Sequence, residues 1–151
     1  MALLSMLTPN RVLLDVGARR KKEVIGLLAE RFAQDLGGEA LDYADALLAR
    51  EKLGSTAIGQ GIALPHAKMA GIVEPVAAFA VMAEPICFAA PGDDRVNIVI
   101  AVLSPQESND DVKRLAAIVG ELRKATDLAS LRASRSPGEL LERLRSLADH
   151  G

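Results

Sequence analysis

The chain has 151 residues, the usual size of one domain and enough to bury one substantial core. Hydrophobic residues make up 50% and charged residues 25%, a globular balance, but aromatics are only 3%, so Leu, Val, Ile and Ala must do the packing. With a net charge of −2 and so few aromatics, nucleic-acid binding has neither electrostatic nor stacking support.

From the N-terminus, the apolar stretch Ala2 to Leu4 is far too short for a signal or a span, and nothing later approaches the roughly 20 apolar residues of a membrane helix. A cytoplasmic protein without membrane insertion is expected. Val12 to Val16 reads as a first short strand. Val24, Ile25, Leu28, Phe32 and Leu36 recur at helical spacing, which predicts a helix over Arg20 to Leu36 with Gly37 as its stop. A second helix is expected from about Leu41 to Lys52, burying Tyr43, Ala46 and Leu47 and ending at Gly54. Arg50 then lies in its last turn.

Val76 to Met82 and Val96 to Leu103 are apolar runs rich in Val, Ile and Ala, of a length that fits buried strands. Pro85, Pro91 and Gly92 punctuate the ground between them, with room for a short strand at Ile86 to Phe88. The single cysteine, Cys87, excludes an internal disulfide framework, fits a reducing compartment and reads as a small buried residue beside Phe88. Ser108 to Asp111 resembles a capping box before a helix to about Lys124, with Val112, Leu115, Ile118, Val119 and Leu122 on its apolar face. Ser136-Pro137-Gly138-Glu139 opens a last helix in the same way, with Leu140, Leu141, Leu144 and Leu147 as its stripe. Helices before and after a block of strands argue for a central sheet packed by helices. No repeat or long linker divides residues 1–151, so one domain is expected.

The chemistry concentrates between Arg50 and Lys68. His66, the only interior histidine, follows Pro65 and a glycine-rich approach. Imidazole titrates near neutrality and can act as a nucleophile without strong activation. Pro65 biases Leu64 toward an extended conformation, and Gly59 and Gly61 permit turns that a Cβ resists. Neither glycine belongs to a dinucleotide fingerprint or a phosphate loop. Arg50 is either a favourable cation at a helix end or a planar fork for phosphate oxygens. Ser55 and Thr56 either satisfy turn backbone or donate to a phosphoryl group. Lys68 either steers an acidic partner or is solvated, and Glu51 serves the helix end or pairs with a neighbour. His150 reads as a mobile tail residue. It lies 84 positions from His66, and with a single Cys these make no metal-ligand spacing. The Gly-x-Ser-x-Gly elbow of a hydrolase is absent.

The run Arg50-Glu51-Lys52-Leu53-Gly54-Ser55-Thr56, the Ile58-Gly59-Gln60-Gly61-Ile62-Ala63 element and the Pro65-His66 pair match, in order and spacing, the signature of the fructose/mannitol-type enzyme IIA of the bacterial phosphotransferase system. The chain most resembles its nitrogen-regulatory branch, more loosely over nearly its whole length. The resemblance implies an α/β fold, a central mixed sheet flanked by helices on both sides. It implies that His66 carries a phosphoryl group, through Nε2, received from an HPr-like histidine carrier, with Arg50 beside it. Regulatory target proteins would then respond to its phosphorylation state. No metal, nucleotide or organic cofactor is expected, because both ends of the relay are protein histidines. Many members carry a second histidine at the start of the third long helix. Asp111 stands there, after a loop one residue shorter, and either caps the helix or reaches His66, with Lys113 or Arg114 near enough to offset its charge. Two alternatives stay open: a sugar-uptake component passing phosphate to a IIB cysteine, and a non-phosphorylated binding module on the same fold.

Overall fold

The computed structural model describes residues 2–88, 95–124 and 128–150, the side chains of 148–150 excepted. A short α1 (Ala2–Ser5) and a single 3-10 turn (Pro9–Arg11) precede β1 (Val12–Val16), which lies where its apolar run predicts. Then come α2 (Lys21–Leu36) and α3 (Ala40–Glu51), followed by three short strands, β2 (Ala57–Gly59), β3 (Ile62–Ala63) and β4 (His66–Met69). The long strands β5 (Val76–Cys87) and β6 (Arg95–Pro105) lead to α4 (Asp111–Lys124), α5 (Leu128–Arg132) and α6 (Pro137–His150).

The six strands form one mixed sheet in the order β1-β5-β6-β3-β2, and β4 also pairs with β6. β1 runs parallel to β5, β5 antiparallel to β6, and both β3 and β4 parallel to β6. β3 and β4 therefore line the same edge of β6, β3 at Ile98 and Val99 and β4 from Val102 to Pro105. Leu64 and Pro65 fill the interval, and the Pro65 carbonyl accepts from Val102 N–H at 2.9 Å, so the ladder continues to His66 although proline cannot donate.

Strand alternation builds two cores. Ala78, Ala80, Val99, Ala101 and Leu103 face Val24, Ile25, Leu28, Phe32 and Leu47 of α2 and α3. Ala77, Phe79, Ile98, Ile100 and Val102 face Leu3 of α1, Ile118 and Leu122 of α4, Leu131 of α5 and Leu140 and Leu144 of α6. Because helices cover both faces, the strands read as continuous apolar runs rather than as an alternation.

Several expectations change in detail. β5 continues through Pro85 to Cys87 instead of stopping at Met82, because its register shifts between Val81 and Ile86, where proline needs no ladder bond. Beyond the shift Ile86 and Phe88 point inward and Cys87 outward, so the cysteine is exposed rather than buried. In α3 the buried alanine is Ala44, and Ala46 is only partly covered. Leu36 and Val112 are exposed, since each lies at a helix end beyond the reach of the core. α4 starts at Asp111: Ser108 Oγ accepts from Asp110 N–H at 3.4 Å, and the Asp110 carbonyl takes the first helical bond, from Arg114. Asp110, not Ser108, is thus the cap. Ser136 does cap α6, accepting Glu139 N–H at 3.1 Å. Pro91 and Gly92 lie outside the described residues, as does the side chain of His150, whose backbone closes α6.

Candidate functional site

An open cleft of about 360 Å³ forms where the end of α3, strand β4, the end of β6 and the start of α4 converge. Ala46, Ala49, Arg50 and Leu53 line it from α3 and the turn beyond, and His66, Ala67 and Lys68 from β4. Ser104 of β6 and Asp111 and Leu115 of α4 complete it. His66, Arg50 and Asp111, singled out from the sequence, meet here although 45 positions separate His66 from Asp111.

The His66 ring is tied back to its own strand, with Nδ1 2.8 Å from the Leu64 carbonyl oxygen. A carbonyl can only accept, so Nδ1 carries the proton and Nε2 keeps its lone pair. Pro65, between the two partners, restrains Leu64 to the extended conformation that presents this carbonyl. The glycines serve the preceding turn: Gly59, Gln60 and Gly61 all have positive φ, and a Cβ on Gly61 would stand 2.8 Å from Asn97 Oδ1.

Arg50 reaches the cleft from the last turn of α3, one Nη1–H held by the Gly54 carbonyl at 3.1 Å. Ser55 and Thr56 do not line the cleft. Ser55 Oγ accepts from Ala57 N–H at 3.1 Å, which closes the local turn. Thr56 is buried and donates its hydroxyl to Glu51 Oε1, while Glu51 Oε2 takes Lys21 Nζ at 3.2 Å. Glu51 pairs with neighbours as one of its two readings expects, yet it is only 7% exposed. The Lys21–Glu51–Thr56 chain thus anchors the turn next to Arg50 to the start of α2.

Lys68 is not simply solvated: its ammonium lies 3.4 Å from Asp111 Oδ2. Asp111 Oδ1 accepts from Arg114 Nη1 at 2.9 Å, and the same Nη1 reaches Ser104 Oγ at 3.2 Å. Burial alone would raise the Asp111 carboxyl, but hydrogen bonds from Ser108, Ser104, Arg114 and Lys68 outweigh it and hold the group below its ordinary value. Among the described residues, Asp111 makes no hydrogen bond to His66. Its carboxylate belongs to the cations on either side, and Leu64 supplies the acceptor that a carboxylate would have provided. Ser104 and the apolar wall of Ala46, Ala49 and Leu115 were not legible in sequence. A lone serine ending an apolar run carries no local signal of what lies across the sheet.

An α/β domain with a tautomer-fixed imidazole in a cleft supplied with cations can accept an anionic group on Nε2 and neutralise it. The chain belongs to the family described as phosphoenolpyruvate-dependent sugar phosphotransferase system, EIIA 2, which it matches over residues 5–146. It is 33% identical over 136 residues to the nitrogen regulatory protein of Bradyrhizobium diazoefficiens, covering 89% of each. It superposes on nitrogen regulatory protein IIA-Ntr from Neisseria meningitidis with a TM-score of 0.85 at 28% identity, over 95% of this chain and 99% of that one. Against the mannitol IIA of Escherichia coli the TM-score is 0.78 at 26% identity, over 91% and 98%. The protein is therefore a phosphotransferase-system IIA domain similar to the nitrogen regulatory type, on the mixed-sheet architecture that the Arg50–Lys68 signature implies. Among the described residues no helix is long and apolar enough to cross a membrane.

Proposed function

We propose that the protein is a histidine phosphocarrier of the nitrogen-regulatory type, accepting a phosphoryl group on His66 from an HPr-like carrier and controlling target proteins through its phosphorylation state. The observation that carries this reading is the His66 Nδ1–H···O=C bond to Leu64 at 2.8 Å inside the cleft. The Nε2 lone pair attacks the carrier's phosphorus as the bond to the carrier imidazole breaks, and that bond's electron pair returns to the carrier nitrogen. Positive charge grows on the His66 ring and is stabilised by the Leu64 carbonyl. Arg50 meets the phosphoryl oxygens with a planar fork. Asp111 and Thr56 act at one remove, through the cations and the turn that they hold, and Ser55 shapes that turn. No metal or organic cofactor enters, since each bond made or broken is to a histidine nitrogen.

The phosphoryl group adds about −1.5 to −2 charges, a strong lever at any interface formed over the cleft. Similarity to nitrogen regulatory proteins over nearly the whole chain favours regulation over sugar uptake. Incubation with a phosphorylated HPr-type carrier should place acid-labile phosphate on wild-type protein and on His150→Ala, and none on His66→Ala. Undiminished labelling of His66→Ala would overturn the assignment. Unlabelled wild type would point to a binding module, and efficient transfer onward to a IIB cysteine would point to sugar uptake.

A further inference from the structure

Lys68 and His66 occupy alternate positions of β4 and share one face of the strand, and both line the cleft. The two cations on Asp111 are held unequally. Arg114 and Asp111 side chains are each 18% exposed, bonded at 2.9 Å and backed by Ser104. Lys68 is 47% exposed and stands at 3.4 Å. An ammonium on a flexible four-carbon stem changes partner with little strain, whereas the rigid guanidinium fork does not. Arg50, Lys68 and Arg114 against the one carboxylate of Asp111 leave two positive charges in excess. That excess matches the charge of about −1.5 to −2 on a phosphoryl group.

We propose that Lys68 is a second phosphoryl-binding cation, held in reserve by Asp111 and transferred to the phosphoryl oxygens when His66 is phosphorylated, while Arg114 keeps Asp111. The proposal rests on the phosphocarrier reading above. Before transfer, Asp111 stores the ammonium beside His66 and limits the positive charge of the empty cleft. After transfer, the phosphoryl group outcompetes the single charge of Asp111, and the first turn of α4 loses its ion pair to β4. That turn becomes the element that registers the phosphorylation state. Asp111, now partly uncompensated and of like sign to the phosphoryl group, sets an upper limit on how strongly the phosphorylated form is favoured.

The test is the equilibrium constant for phosphoryl exchange with an HPr-type histidine carrier charged with potassium phosphoramidate. This quantity compares free proteins and is unaffected by how they dock. Lys68→Met should lower it by about fivefold, the scale of a half-exposed charge pair, and Lys68→Arg should restore most of the loss. Asp111→Asn should raise it by a similar factor. Carbon-13 NMR should show the Asp111 carboxyl signal moving on phosphorylation of wild type and staying still in Lys68→Met. An unchanged equilibrium constant in Lys68→Met, or an Asp111 signal that ignores phosphorylation, overturns the exchange alone. If direct treatment with phosphoramidate leaves His66 of wild type unphosphorylated, the phosphocarrier reading falls and the exchange with it.

Discussion

Arg50 is where residue-level chemistry is most exposed to test. The only hydrogen bond of its guanidinium among the described residues is to the Gly54 carbonyl at an exposed position, so its removal should cost little stability. A charged hydrogen bond contributes about 1.5–3 kcal/mol, and each 1.36 kcal/mol is roughly tenfold in rate. Arg50→Ala should slow phosphorylation of His66 by about one to two orders of magnitude in rapid-quench measurements. Arg50→Lys should recover only part, since it keeps the charge and loses the fork. Unaltered kinetics in Arg50→Ala would reduce the arginine to a helix-end cation. At this scale the sequence named His66, Arg50 and Asp111, with Arg114 as one of two cations near Asp111, but not the Leu64 carbonyl or Lys68 as partners. Ser55 and Thr56 sit in the same motif, yet one hydroxyl closes a turn and the other meets a buried carboxylate. Which way a hydroxyl points depends on backbone torsions that residue identity leaves open.

At the scale of elements, the turn between α3 and β2 decides where Arg50 stands. Glu51 is buried at the end of α3, and its carboxylate is satisfied by Thr56 on one side and Lys21 on the other. Leaving a buried acceptor short of a donor costs about 1–3 kcal/mol, and more where it is charged. Thr56→Val should therefore lower stability by about that amount in urea denaturation, Thr56→Ser should restore most of it, and Thr56→Val should slow phosphorylation less than Arg50→Ala does. A Thr56→Val protein as stable as wild type would show that the tie is dispensable. The long helices and the two long strands were legible because periodicity accumulates over many residues. β2, β3 and β4 have three, two and four residues, too few for any period to show. They exist because β6 offers a ladder edge to them.

At the scale of the whole molecule, acid should loosen the fold through identifiable carboxylates. Asp35, at the end of α2, ties the N-terminal segment down through Thr8, Asn10 and Arg11, and Arg11 in turn binds the Met6 and Ala77 carbonyls. Burial raises the Asp35 carboxyl, but hydrogen bonds from Asn10 and Arg11, the Arg11 charge and the Thr8 hydroxyl together hold it below its ordinary value. A folded-state value below the unfolded one means that the unfolded chain binds more protons in this window. The stabilisation is therefore complete above about pH 5 and is lost as pH falls through the folded value. Asp35→Asn should be less stable than wild type at neutral pH, with the difference shrinking below about pH 4. A difference independent of pH between 2 and 7 would exclude an ionised Asp35 as its source.

By itself the sequence determined the four long helices, the core of the two long strands, the family signature and the identity of the candidate nucleophile. These rest on periodicity, turn chemistry and a motif contained within nineteen consecutive residues, Arg50 to Lys68. Only the tertiary structure decided that Leu64 supplies the carbonyl selecting the His66 tautomer, and that Lys68 and Arg114 share Asp111 beneath the cleft. Parallel pairing of β4 with β6 sets Lys68 opposite Ser104, and packing of α4 on the sheet brings Asp111 to both. The physical reason is that hydrophobic patterning marks which face of an element is buried, while ion pairs between distant elements follow from strand register and helix placement. A one-residue change of register would turn every side chain of β4 to the opposite face while leaving the local sequence unaltered.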